Sequence, residues 1–270
     1  MAGASIAEVR TWNQAGKIVP FVGAGLSLPL GLPSWDGVLD GIAEELNWDP
    51  EEFKRHGDHL QLAQYYVLQK GTVGPLRSKL DRAWNPSDDA ILSSPTHRAL
   101  TELGVPIIYT TNYDTILERA FALHGIAAYP ITTIDDIAKA PAGVPRIVKF
   151  HGSFHNDESL VLTESSYFER LDFSSVLDIK LRADALGKCL LFLGYGLRDI
   201  NIRLMLHNLH KLRLKERVRV AGGGVPSAVL TVFGTGEVQA ALLEEWDVKV
   251  LELDATDPTA SMAGFLKEIR

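Results

Sequence analysis

The chain has 270 residues, enough for one sizeable core or a main domain with a smaller one inserted, and its 46% hydrophobic and 23% charged content is that of a soluble globular protein. A net charge of −7 with no basic block argues against direct nucleic-acid binding, which rests on Lys and Arg neutralising phosphates. The single cysteine, Cys189, excludes an internal disulfide and a multi-cysteine zinc module; in KCLLFLG it reads as a small buried hydrophobe.

In chain order, the N-terminal MAGASIAEVRTWNQ has no apolar core of a leader, and no stretch approaches the ~20 apolar residues of a bilayer span, so a cytoplasmic protein without membrane contact is expected. Ile18 to Val22 is an apolar, β-branched run suited to a buried strand, and Gly23-Ala24-Gly25 follows as a turn. Free amides at such a turn, or at a helix start, can hold phosphate; the alternative is a plain tight turn, because Leu28 stands where a dinucleotide fingerprint has its third glycine. Pro29, Gly31 and Pro33 make the next segment a loop, and Ser34 is placed to cap a helix through Trp35, Val38, Leu39, Ile42 and Leu46. From residue 35 to 103 every periodic segment reads as helical, predicting a helical insertion between the first two strands, lying over the site as a cap.

The sheet resumes at Val105 to Tyr109, followed by Thr110-Thr111-Asn112-Tyr113-Asp114 and a helix through Ile116, Leu117, Ala120 and Phe121. Arg146 to Phe150 predicts a strand ending in His151-Gly152, Leu160 to Leu162 a short strand, and Glu164 to Leu186 one or two helices. Cys189 to Leu193 is the most apolar strand and runs into Gly194-Tyr195-Gly196, with Ile200, Leu204, Met205, Leu206 and Leu209 on the next helix. The glycine-rich loop Ala221 to Pro226 is expected to be mobile; strands at Ser227 to Phe233 and Val248 to Leu253, with helices near Val238 to Trp246 and Ala263 to Ile269, complete an alternating α/β pattern with a parallel sheet.

GAGLS, TTNYD, HG and GYGLRD all sit at predicted strand ends, which a parallel sheet gathers on one edge. Each has a structural alternative: Asn112 and Asp114 as cap and turn formers, His151 as a satisfied core histidine, Asp199 as a helix N-terminal acid. Their convergence on one rim is what points to a site.

GAGLS with GLPSW, TTNYDTILE, KFHGS, LTESSYFERL and GYGLRDINIRLML resemble the sirtuin-like NAD-binding domain, in the branch common in bacterial antiphage defence proteins; the likeness runs from Val19 to Leu206 with the motifs in the family's order. The resemblance implies a Rossmann-like sheet with a small inserted domain and NAD as a substrate cleaved between nicotinamide and ribose. It implies that Gly23, Ala24, Gly25 and Ser27 cradle the pyrophosphate, that Asn112 positions the nicotinamide ribose and the attacking water, and that Asp114 holds the carboxamide. His151 is implied as general base or ribose-orienting group, Gly194 and Tyr195 as the adenosine side, and Asp199 as support for that loop. Such a site suits loss of nicotinamide, which leaves an oxocarbenium-like ribose that needs hydrogen bonds to its hydroxyls and one placed base.

One cysteine cannot build the four-cysteine zinc module of the similar deacylases, so zinc is not expected and hydrolysis by water gains over deacylation. Gly196 replaces a hydroxyl residue often found there, and Trp35 and Asp36 are the candidates for guarding nicotinamide. The pairs His56/His59 and His207/His210 have metal-like spacing but no evident third ligand; His155, Tyr167 and the Gly234-Thr235-Gly236 turn are weaker candidates for the site. The reading that follows is a single NAD-binding domain acting as an NAD glycohydrolase, the toxic effector of an antiphage system, controlled by a partner protein of its operon or by homo- or hetero-oligomerisation. The alternatives are a sensor that binds NAD or an ADP-ribose derivative without turnover, and a sirtuin-type deacylase or ADP-ribosyltransferase.

Overall fold

Among the described residues, seven short apolar runs form one parallel sheet, and their period-2 alternation supplies both of its buried faces. In β1 (Ile18–Val22), Ile18 and Val22 join one buried cluster and Val19 and Phe21 the other. β2 (Ile107–Thr110), β3 (Tyr129–Ile131), β4 (Arg146–Lys149), β5 (Cys189–Leu193), β6 (Ala228–Val232) and β7 (Val248–Glu252) complete it, in the spatial order β3-β4-β2-β1-β5-β6-β7. Every neighbouring pair is parallel. The structure, a computed structural model, describes residues 3–171, 175–196, 200–215, 225–234 and 236–270. Pro20 lies in the central strand, where a missing N–H weakens a ladder; pairing of β1 with β2 starts one residue later, at Phe21↔Tyr109.

Helix α1 (Ile6–Gln14) precedes the sheet, held by a capping box in which Ser5 and Glu8 bond reciprocally; this S-x-x-E signal marks a helix that the apolar periodicity did not predict. Between β1 and β2 lie α2 (Trp35–Glu45), α3 (Pro50–Lys54), α4 (His59–Lys70), α5 (Gly74–Ala83), α6 (Asp88–Ser93) and α7 (Pro95–Thr101). Val38, Ile42, Phe53, Leu62, Leu76 and Leu80 from α2 to α5 form a cluster of their own with Tyr113, Phe154 and Leu162 from the loops after β2 and β4. Ala99 and Leu100 of α7 belong instead to a face of the main sheet.

α8 (Ile116–Leu123) follows β2, and α9 (Ile134–Lys139) follows the edge strand β3; neither β3 nor α9 was predicted, because three and six residues are too short to show a period. α10 (Glu164–Leu171), α11 (Val176–Ala185), α12 (Ile200–Lys215), α13 (Glu237–Glu245) and α14 (Pro258–Glu268) complete the chain. Leu177, Leu181, Met205, Leu206 and Leu243 cover one sheet face, while Val9, Leu117, Phe121, Phe265 and Leu266 cover the other. The strand expected at Leu160 to Leu162 is an extended loop, whose Val161 N–H donates to the His151 carbonyl at 3.0 Å. β2 begins at Ile107, two residues later than expected, because Pro106 cannot donate to a ladder.

Candidate functional site

The strand order reverses at β1, with β2 on one side and β5 on the other, so the loops leaving β1 and β5 part company and open a crevice at the carboxyl edge. A cavity of about 510 Å³ lies there, lined by Ala24, Gly25 and Ser27 after β1, Thr111 to Asp114 after β2, His151 after β4 and Gly194 to Gly196 after β5. Trp35, His59 and Trp84 from the helices between β1 and β2, and Tyr167 from α10, close its other side. Residues from each of the four predicted strand ends therefore share one wall.

The glycine turn is built differently from its expectation. The N–H groups of Gly23, Gly25, Leu26 and Ser27 donate to the carbonyls of Leu193, Gly194, Gly23 and Ala24, so these amides are already engaged rather than free for an anion. The glycines are required by packing: a Cβ on Gly25 would stand 2.6 Å from the Gly194 oxygen, and one on Gly23 would stand 2.8 Å from the Tyr195 ring. Gly23 is buried behind that ring and does not line the cavity. The Tyr195 hydroxyl lies 2.9 Å from Thr111 Oγ1 and donates to the Val22 carbonyl at 3.0 Å, joining the ends of β1, β2 and β5. The described residues lining the cavity include no Lys or Arg, so a bound anion would depend on amides, hydroxyls and the Asn112 carboxamide.

Thr110 sets the next turn, its hydroxyl donating to the Val22 carbonyl at 2.8 Å and accepting the Asn112 N–H at 3.0 Å. The Asn112 carboxamide makes no hydrogen bond to the described residues, and at 7% exposure it faces the cavity. Asp114 Oδ1 accepts the Ile116 N–H at 3.0 Å and so starts α8, the turn-forming role that was its structural alternative. Its carboxyl is buried, and desolvation holds its pKa above the ordinary carboxylate range, with the nearby Lys149 charge acting the other way. Lys149, which sequence reasoning passed over, is 1% exposed beneath this turn, where its Nζ donates to the Asp114 carbonyl oxygen; a lone lysine in the apolar run RIVKF was the available signal.

His151 is 5% exposed, packed edge-on to Tyr167 at 5.3 Å between ring centroids and against Tyr113 and Phe150. Burial first, and the charge of Arg170 second, push its pKa down to about 3, so the imidazole is neutral at physiological pH. Arg170 stacks over the Phe150 ring at 4.1 Å and stands 3.5 Å from Asp178.

Behind Ser27 lies a second buried histidine that the sequence did not single out. His97 Nε2 is 3.4 Å from Ser27 Oγ and its Nδ1 is 2.8 Å from Ser94 Oγ, so the ring orients a hydroxyl that lines the cavity. Burial pushes its pKa down to about 4. Because the unfolded chain takes up this proton near pH 6.5 and the folded protein does not, the stabilising effect is fully present above that pH and is lost as pH falls toward 4. Urea unfolding at stepped pH is expected to show stability falling through this window by up to about 1.4 kcal/mol per pH unit per proton, with His151 contributing beside His97, and His97→Gln is expected to remove one proton's share of that slope.

Asp199 lies outside the described residues, as do Thr235 and residues 221–224 of the glycine-rich loop. His155 is exposed and, like Gly234, Gly236 and Asp36, is not among the residues lining the cavity. His59 opens α4 whereas His56 precedes it and packs on Trp48, so that pair does not share a helix. Among the described residues no three His, Cys, Asp or Glu side chains are grouped to hold a metal, and no helix is long and apolar enough to cross a membrane.

A parallel sheet flanked by helices, with its cavity at the strand-order reversal, defines a Rossmann-like α/β protein. The chain belongs to the SIR2-like domain family, whose model matches residues 106–251, more than half of its length. It is similar to Defense-associated sirtuin 2 of Bacillus subtilis, 29% identical over an alignment of 218 residues that covers 77% of this chain and 21% of that protein. It is similar also to NAD(+) hydrolase ThsA of Cytobacillus dafuensis, 30% identical over 71% of this chain and 38% of that one. The chain thus spans well under half the length of these relatives. A crystal structure of a Sir2 homolog–NAD complex shares the fold at 13% identity, with a TM-score of 0.51 over 100% of this chain and 96% of that one.

Proposed function

We propose that this chain hydrolyses NAD to nicotinamide and ADP-ribose in the cavity at the carboxyl edge of β1, β2, β4 and β5, as the toxic effector of a bacterial antiphage defence system. The observation that carries the reading is the meeting of Asn112, Asp114 and a neutral His151 in one cavity that also takes in the turn Ala24 to Ser27. The names of the relatives, a defence-associated sirtuin and NAD(+) hydrolases, support it.

In the reaction the bond between ribose C1′ and the pyridinium nitrogen breaks and its electron pair leaves with nicotinamide. Water adds its oxygen to C1′ and gives up a proton. Asn112 holds the ribose hydroxyls and the water, Asp114 holds the carboxamide, and His151 takes the proton, which then passes to solvent. Ser27 through its hydroxyl, oriented by His97, and the backbone N–H of Ala24 receive the pyrophosphate. Within the expected insertion of residues 35–103, the cluster of α2 to α5 acts as the cap that places Trp35 and Trp84 over the substrate and limits water, while α7 packs on the sheet. NAD is the substrate and no zinc takes part. A cytoplasmic protein that depletes NAD must be held in check, so activity depends on a partner protein or on assembly.

A second reading, a sensor that binds NAD without turnover, draws on one observation: a histidine with pKa near 3 is a weak base at pH 7. For His151 to act as the base its pKa must rise when NAD binds, which the pH dependence of kcat tests. The deciding experiment incubates the protein with NAD, alone and with its operon neighbour, and quantifies nicotinamide. Release abolished in Asn112→Ala is the expected result; NAD bound without release under every condition would replace hydrolysis by sensing.

A further inference from the structure

Burying an ammonium is costly unless it is paired, and a methionine would fill an apolar strand without that cost. Lys149 nevertheless lies at the end of β4 with 1% of its side chain exposed, two residues before His151. Its Nζ donates to the Asp114 carbonyl and pairs with Glu118 Oε1 of α8 at 3.2 Å. Glu118 Oε2 is buried and makes no hydrogen bond to the described residues, so the pair is not fully satisfied by ordinary structural packing. The β2–β4 register adds a second tie at the same level: Thr110 is aligned with Lys149, and the Phe150 N–H donates to the Thr110 carbonyl at 2.7 Å.

We propose that Lys149 is a positioning residue for the hydrolysis proposed above, locking the Asn112 to Asp114 turn to the strand that carries His151 and setting the charge on the Asp114 carboxyl. The charged groups acting on that carboxyl are Lys149 from β4 and Glu118 from α8, with opposite signs, and the Ile116 N–H is its hydrogen-bond donor. A carboxylate accepts from the carboxamide N–H of nicotinamide, whereas a neutral acid loses acceptor strength, so the turn serves the substrate best while Asp114 is ionised. Burial alone favours the neutral acid. The lysine opposes burial and the glutamate reinforces it.

This inference rests on the hydrolase reading for its catalytic meaning, and the test separates the two. Asp114 ionisation is followed in the ligand-free protein by carbon NMR of aspartate carboxyls, with Asp114→Asn assigning the signal, and kcat/KM for nicotinamide release is measured across the same pH range. Lys149→Met removes the positive charge and is expected to move the Asp114 midpoint and the acid limb of kcat/KM to higher pH by about one unit or more, with activity at pH 7 lowered by about 10²-fold. Glu118→Gln removes the negative charge and is expected to move both to lower pH. Coulombic coupling alone moves the Asp114 midpoint, but a merely structural pair would leave the acid limb of kcat/KM where it was. Midpoints that stay put in both variants, or move in the same direction, overturn the inference; if Lys149→Met does not fold, an unmoved or upward-moving midpoint in Glu118→Gln overturns it alone. Absence of turnover in the wild type would defeat the hydrolase reading while leaving the NMR midpoints to decide the role of Lys149.

Discussion

Replacing His151 with alanine is expected to lower kcat/KM for nicotinamide release by about 10²–10⁴-fold, the range that loss of one placed base produces. The imidazole lies on the cavity wall that also carries Asn112 and Asp114, and its low pKa leaves it unprotonated and able to accept at neutral pH. The pH profile gives the sign of the effect. Because kcat/KM reports the free protein, protonation of a histidine with pKa about 3 does not limit it until the medium is strongly acidic. The acid limb of kcat reports the imidazole with substrate bound, so a base role for His151 expects that limb at higher pH than any His151 limb of kcat/KM. Stopped-time nicotinamide assays from pH 4 to 9 check this, with His151→Gln beside His151→Ala to keep the packing against Tyr167 and Phe150. A rise in KM with unchanged kcat would make His151 a binding group and not the base.

The largest loss of stability is expected from Gly152→Ala. Gly152 has φ +86°, a conformation that costs an L-residue about 1–2 kcal/mol, and a Cβ there would overlap the backbone carbonyl of Ser159, which cannot swing aside as a side-chain tip could. Overpacking adds about 1–3 kcal/mol, so a total near 3 kcal/mol and a fall in Tm of roughly 6–12 °C are expected by calorimetry. The effect reaches the site because the same turn releases His151 from the end of β4, and the Ser159 loop continues into Val161, whose N–H bonds the His151 carbonyl. An unchanged Tm would mean that the Ser159 segment moves freely, and with it that the His151 backbone is not held from this side.

What the amino-acid sequence determined by itself was the set of elements with strong local signals and the identity of the cavity wall. The buried strands at Ile18 to Val22 and Cys189 to Leu193 were legible because five consecutive apolar residues bounded by glycine leave little alternative. Asn112, Asp114, His151, Gly194 and Tyr195 were legible because parallel strands put their carboxyl ends on one edge, so polar residues at several strand ends had to meet. Only the tertiary structure decided how they are held. The Gly23 to Gly25 turn reads locally as a phosphate cradle, yet its glycines make room for Gly194 and Tyr195, partners more than 160 residues away that no local pattern can announce. Lys149 and His97 acquire meaning from what lies across a strand or behind a turn, the Asp114 carbonyl and the Ser27 hydroxyl, and those contacts exist only once β1, β2, β4 and α7 are packed together. Short elements such as β3 escaped for the same reason: three residues carry no period, and their pairing energy comes from a neighbour, β4, that the sequence does not place beside them.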